Sequence, residues 1–384
     1  MATALVNGRV LTPDGFREDR AVLLDRGHIV ALAAAGDRRL RAAHTIDLAG
    51  NALLPGFIDC QVNGGGGVLF NDAPTVGSLR TIGAAHRRFG TTGFLPTLIS
   101  DDVDVMRAAI QAVDEAIGLG VAGVLGIHLE GPYLAPAKRG AHEAARFRAL
   151  GGDELDLVCS LRHGVTVLTL APECVPPSRV RELAARGVIV CAGHTAATWD
   201  QARAALDAGV RGFTHLYNAM SPLQGREPGV VGAALEDRAS WCGLIVDGHH
   251  VHPASLRVAL AAKPRGKLLL VTDAMPPVGS GIDRFVLAGA TVTLRDGRCE
   301  TAGGMLAGSA LDMAGAVRNT VAMLGVPLDE AVRMASTYPA AFLGIGDRGR
   351  IAPGQRADLI AIDADFRVRH SWIGGVADAH GAYG

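Results

Sequence analysis

Four short segments of this 384-residue chain carry side chains able to hold a cation and move a proton. They are His128-Leu129-Glu130-Gly131-Pro132, Gly193-His194-Thr195, Thr214-His215-Leu216-Tyr217-Asn218 and Thr272-Asp273-Ala274. Each lies just beyond an apolar run. Two imidazoles and one carboxylate, here His194, His215 and Glu130, form a set that holds catalytic zinc and leaves a coordination position for water or substrate. Zinc lowers the pKa of such a water toward ~7, and a nearby carboxylate such as Asp273 can take its proton and later deliver it to a leaving group. A single strand-end His or Glu more often hydrogen-bonds a loop, but four in register point to hydrolysis. His128 is expected to pack or to support the site rather than to ligate.

These segments need elements to carry them. Eight apolar runs read as buried strands: 56–60, 93–97, 124–129, 165–170, 188–192, 212–215, 242–246 and 268–272. Helical stretches such as 101–117, 178–186, 198–208 and 253–262 fall between them, the alternation of parallel βα units. Eight units favour a (β/α)8 TIM-like barrel, an α/β fold whose active site lies at the C-terminal mouth of its strands. No GxGxxG or GxxxxGK[ST] follows the first strand, which argues against dinucleotide and P-loop folds. Short β-like runs at residues 4–33 and near 360 make the two chain ends alike. The expected division is a small β-sandwich domain from 1–53 and 348–384 around a barrel of 54–347.

Composition narrows the function classes. With 37 Lys and Arg against 38 Asp and Glu, the net charge is −1, so no bulk electrostatic attraction to nucleic acid or anionic membrane is expected. No run reaches the ~18 apolar residues of a membrane span, and the N-terminus lacks a leader pattern. The six cysteines, Cys60, Cys159, Cys174, Cys191, Cys242 and Cys299, include no CxxC pair and read as free thiols in a reducing cytoplasm. Fifty glycines are about twice the usual share and imply many tight turns.

The segments PGFIDCQVNGGGG, HLEGPYL, KRGAH, GHT, THLYNAM, GREPG, DGHHV, VTDA and LAGSALDM, in this order, make the chain similar over nearly its whole length to the N-acetylglucosamine-6-phosphate deacetylases of the amidohydrolase superfamily. The resemblance implies one divalent metal ion per subunit, Zn2+ first, held by Glu130, His194 and His215, with Asp273 as the catalytic carboxylate. It implies that His142 polarises the acetamide carbonyl, and that the products are acetate and glucosamine 6-phosphate. Many superfamily members end their first strand in His-x-His, whereas Gln61-Val62-Asn63 stands here, and the only lysines, Lys138, Lys263 and Lys267, end no strand. A single-metal site follows. Gln61 and Asn63 are then left to bind water or substrate, or to shape a turn.

A phosphorylated sugar needs a cradle of cationic or amide groups, and Arg226 in GREPG is the first choice. The resemblance adds the backbone around Asn218 and Ala219, and His250 reaching in from a neighbouring subunit, which implies a homodimer. In the run 249–252, alternation sends His249 and His250 to opposite sides and argues against a second metal site. The segment 306–309 resembles a loop closing over the sugar, with Leu306 against the acetyl group. Rival readings are the galactosamine epimer as substrate, a cyclic-amide hydrolase, which would be expected to carry the missing His pair and lysine, and a non-catalytic sugar-phosphate sensor.

Overall fold

The computed structural model describes residues 2–34 and 36–379. Eight parallel strands form one sheet in chain order: β1 (Phe57–Val62), β2 (Thr91–Ile99), β3 (Gly126–Glu130), β4 (Val165–Leu170), β5 (Ile189–Ala192), β6 (Gly212–Phe213), β7 (Trp241–Leu244) and β8 (Leu268–Leu270). All eight expected runs are present. Strands covered on both faces read as continuous apolar runs rather than alternating ones, and β2 is buried along its whole length. Pro96 within β2 has no N–H for the ladder, and the register against β1 shifts between Phe94 and Pro96.

The ring closes between β8 and β1 just past the end of β8. Val62 and Ala274 form a parallel bridge, and the Asp273 N–H donates to the Gln61 carbonyl at 3.0 Å. Each strand is followed by a helix: α1 (Val76–Arg87), α2 (Val103–Gly118), α3 (Gly152–Val158), α4 (Pro177–Ala185), α5 (Trp199–Ala208), α6 (Gly229–Glu236), α7 (Pro253–Ala262) and α8 (Met313–Leu324). Sequence signals set several of their starts. Thr198 and Gln201 form a reciprocal capping box on α5, and prolines occupy the first turns of α4 and α7, where the missing N–H costs nothing.

The chain ends build two further sheets. Strands Thr3–Val6, Arg20–Asp25, His28–Ala34 and His44–Asp47 form one, and Arg9–Thr12, Gly15–Arg17, Ala52–Pro55, Leu359–Ile362, Val368–Ile373 and Val376–Ala379 the other. Leu5, Val22 and Ile29 from the first pack with Val10, Leu53, Leu359 and Trp372 from the second in one core, giving a β-sandwich.

One element differs from expectation. Between β8 and α8 the chain forms a four-stranded antiparallel sheet, Arg284–Leu287, Ala290–Arg295, Arg298–Thr301 and Leu306–Ser309. The segment 306–309, expected as a loop, is therefore its last strand. Leu287, Val292, Cys299 and Ala307 press its apolar face onto Leu69, Ile99 and Met275. The sheet thus forms a flap at the barrel mouth.

Candidate active site

Glu130 is the last residue of β3, while His194 and His215 lie just beyond β5 and β6. Glu130 Oε1 sits 3.2 Å from His194 Nε2 and 2.9 Å from His215 Nε2, and the two Nε2 atoms are 3.1 Å apart. All three residues are buried, and ligand atoms of the trio lie within 4.8 Å of one another. His194 Nδ1 is 2.8 Å from the Lys138 carbonyl, so the neutral ring carries its proton there and turns the Nε2 lone pair inward. A lone pair facing a second imidazole and a carboxylate is the donor set a divalent cation satisfies, so the residues fit a metal ion. Burial raises the cost of the Glu130 charge, yet the two imidazoles in contact with it hold its pKa well below the ordinary carboxylate value.

The backbone is strained where these side chains turn inward. His194, His215 and Asp273 have φ of 47°, 33° and 54°, and Tyr217 and Ala219 are also in the left-handed region. Such conformations cost on the order of 1–3 kcal/mol each and persist where the surroundings over-determine them. For Asp273 those surroundings include Asn63 Nδ2 at 2.6 Å and Gln61 Nε2 at 3.1 Å, both donating to Oδ1. Gln61 Nε2 also donates to both Glu130 oxygens, at 3.3 and 3.2 Å. Gln61 thus places an N–H group between the two carboxylates. Burial, then the nearby Glu130 charge, pushes the Asp273 pKa up to about 6.

His142 comes from the long loop after β3. The Ser100 N–H donates to its Nδ1 at 3.3 Å, with Ser100 Oγ 2.8 Å from the same atom. Nδ1 is thereby an acceptor, and the ring proton sits on Nε2. Burial, then the adjacent His194, lowers the His142 pKa to about 3, so the ring is a neutral N–H donor at physiological pH. Its ring centroid is 4.5 Å from that of His194. Arg148 fixes this loop by bonding Glu154 at 2.9 and 2.8 Å and the Asp101 carbonyl at 2.8 Å.

A cavity of about 300 Å³ opens over the trio. Asn63, His142, Asn218, Ala219, His250, Asp273 and Leu306 all line it. Gln61 lies deeper, beside a space of about 30 Å³ inside the barrel. His128 is no part of the trio: Thr97 Oγ1 at 3.1 Å and Thr169 Oγ1 at 2.7 Å flank its ring.

His250, expected to reach in from a neighbouring subunit, lines the cavity of its own chain. Asp247 Oδ2 is 2.6 Å from its Nδ1. His249 turns the other way and accepts from Arg298 Nε of the flap at 3.2 Å, so the two rings do not share a site. Arg226 lies in an exposed loop and is not among the residues lining the cavity of its own chain.

Sequence reasoning missed Ser100, Asp247, Met275 just past β8 and the flap residue Leu287. Ser100 and Asp247 carry no local signal. The flap had one, since Ala288-Gly289 and Asp296-Gly297 are two-residue hairpin turns between β-like segments, and all four residues have positive φ.

A parallel eight-stranded barrel with a Glu-His-His convergence at its mouth defines a metal-dependent hydrolase class. Residues 52–377 match the model of the Amidohydrolase family, and the chain belongs to that family. It is 45% identical over 377 residues to an N-acetylgalactosamine-6-phosphate deacetylase of Shewanella sp. (strain ANA-3), covering 96% of this chain and 93% of that one. It is 35% identical to an N-acetylglucosamine-6-phosphate deacetylase of Haemophilus influenzae, covering 98% and 99% of the two chains. The crystal structure of an N-acetylglucosamine-6-phosphate deacetylase from Pasteurella multocida superposes with a TM-score of 0.95 at 37% identity, over 99% of this chain and 100% of that one. Among the described residues no helix is long and apolar enough to cross a membrane.

Proposed function

We propose that this chain hydrolyses the acetamide of N-acetyl-D-glucosamine 6-phosphate, releasing acetate and D-glucosamine 6-phosphate in amino-sugar catabolism or recycling. The observation that carries the reading is the buried convergence of Glu130, His194 and His215 beneath a cavity that Asp273 and His142 also line. Glu130, His194 and His215 would hold one divalent ion, with Zn2+ favoured by the two-imidazole, one-carboxylate set. Bound there, such an ion supplies the Lewis acidity that makes water a nucleophile near neutral pH.

The remaining work falls to the chain's own residues. Asp273 takes the proton of the attacking water at its carboxylate and returns it to the departing amine, as base and then acid. His142 donates its Nε2–H to the carbonyl oxygen as negative charge develops on it, a stabilisation strengthened by burial. Asn63 and Gln61 hold the Asp273 carboxylate by donating to Oδ1. Leu306 packs against the acetyl group. His250 and the backbone of Asn218 and Ala219 face the phosphate end, with Arg226 available only from outside the cavity of its own chain.

The same reading includes a cytoplasmic homodimer, carried by the resemblance to the deacetylases, and a division into a small domain of 1–53 and 348–384 around a barrel of 54–347. Sedimentation of the purified chain tests the dimer. The galactosamine epimer is a second reading, favoured by the 45% identity to the Shewanella relative. Acetate release from both phosphosugars, with and without chelator, tests the proposal. Chelator-sensitive turnover of either sugar supports the reaction, their rate ratio assigns the epimer, and no turnover of either sinks it.

A further inference from the structure

Asp59, in the middle of β1, is fully buried and is not among the residues lining the cavity. Its hydrogen-bond partners are neutral groups at the seam where the barrel closes. Oδ1 accepts from the Gln61 N–H at 3.2 Å and the Thr272 N–H at 3.3 Å, and Oδ2 accepts from the Thr272 hydroxyl at 2.5 Å. A carboxylate buried on neutral donors alone is costly, and burial pushes its pKa up to about 7. A group so expensive to bury should have a compensating role.

The hydroxyl of Thr272 indicates what that role is. Its one proton goes to Asp59, which leaves its oxygen to accept the Ala274 N–H at 3.2 Å. Thr272 therefore bridges the residues on either side of Asp273, the residue held at φ 54°. From the flap, Ser309 Oγ donates to the Thr272 carbonyl at 2.6 Å and the Ser309 N–H to the Asp273 carbonyl at 2.9 Å. Asp59 also holds the backbone of Gln61, whose side chain reaches both Glu130 and Asp273.

We propose that Asp59 is a positioning residue for Asp273: by taking the Thr272 hydroxyl proton, it locks the turn that aims the Asp273 carboxylate into the cavity. This rests on the reading of Asp273 as the proton-transfer group. Asparagine at 59 cannot replace it. With the amide oxygen on the Gln61 and Thr272 N–H groups, the NH2 faces the Thr272 hydroxyl and makes it an acceptor, so its proton turns from residue 59 to the Gln61 carbonyl 3.4 Å away and the lock on the turn is lost.

The test is steady-state kinetics and elemental analysis on full-length variants. Asp59→Asn lowers kcat at least 10-fold, with KM and metal content at parent values. Thr272→Val does the same, and Thr272→Ser, which keeps the hydroxyl, recovers most of that loss. Because the two residues act through one bond, the Asp59→Asn/Thr272→Val double variant loses no more than the worse single one. The proposal is overturned if Asp59→Asn keeps parent kcat, if the two losses multiply, or if kcat falls only in step with metal content. Should the parent turn over neither phosphosugar, the proposed reaction fails instead. The crystal structure of Asp59→Asn, or of Thr272→Val if Asp59→Asn does not fold, then decides: Asp273 leaves positive φ if Asp59 holds it and stays there if not.

Discussion

Asp273 and His142 are both buried ionisable groups beside the trio, and the unprotonated form suits each: a charged carboxylate for Asp273 and a neutral imidazole for His142. Asp273 works as a base only when ionised. Its pKa of about 6 is raised partly by the Glu130 charge, which a bound cation would offset, so turnover should fall as pH drops through a limb at or below about 6. A limb centred above 7 in kcat would remove Asp273 from the role. Asp273→Asn should keep metal and substrate binding and lose turnover by about 10²–10⁴-fold, the range expected for a general acid–base group. Comparable rates in variant and parent would discard the role. His86 supplies a stability prediction away from the site. It is fully buried, Nε2 lies 2.9 Å from the Gly64 carbonyl, and burial lowers its pKa to about 4. The unfolded chain takes up the proton near pH 6.5 and the folded chain only near 4. Stability is therefore full above about 6.5 and is lost as pH falls toward 4, by on the order of 3 kcal/mol. Urea unfolding of the parent and of His86→Gln at pH 5 and 7.5 measures this, and the parent should show the larger pH difference.

At the scale of elements, two pieces of chain bring residues to the mouth that no barrel strand carries. The loop after β3 delivers His142 and is pinned by Arg148 against Glu154 and the Asp101 carbonyl. Arg148→Ala should loosen that loop and lower kcat about 10- to 100-fold, the cost of roughly 1 Å of misplacement. Limited proteolysis should show earlier cleavage within 135–150, and parent rates would show that the loop holds itself. The flap approaches β8 so closely that a Cβ on Gly308 would lie 2.4 Å from Met275 Cε and 2.9 Å from the Asp273 carbonyl. The chain meets this by placing glycine there, at φ 61°. The helices that separate the strands were readable because their caps and prolines are local signals, whereas the flap was overlooked despite its Asp296-Gly297 turn.

The whole molecule links a small sandwich to a barrel whose mouth gathers residues from distant parts of the chain. If an ion binds only the folded trio, it stabilises the fold by mass action, about 2.7 kcal/mol at a free concentration 100-fold above Kd. Chelation should therefore lower the thermal midpoint by several degrees, and zinc should restore both midpoint and turnover. A midpoint and a rate both indifferent to chelator would argue against the metal reading.

The amino-acid sequence by itself determined the strand order, the helices between strands and the identities of Glu130, His194, His215 and Asp273. It could do so because a barrel strand buried on both faces is a continuous apolar run whose polar neighbour marks the mouth. Only the tertiary structure decided which atoms of those residues meet, that His250 lines the cavity of its own chain, that Arg226 stands apart from it, and that Asp59 bonds Thr272 across 213 positions. Such contacts arise when the ring closes and forces strained turns into one space. No local pattern of hydrophobicity encodes them.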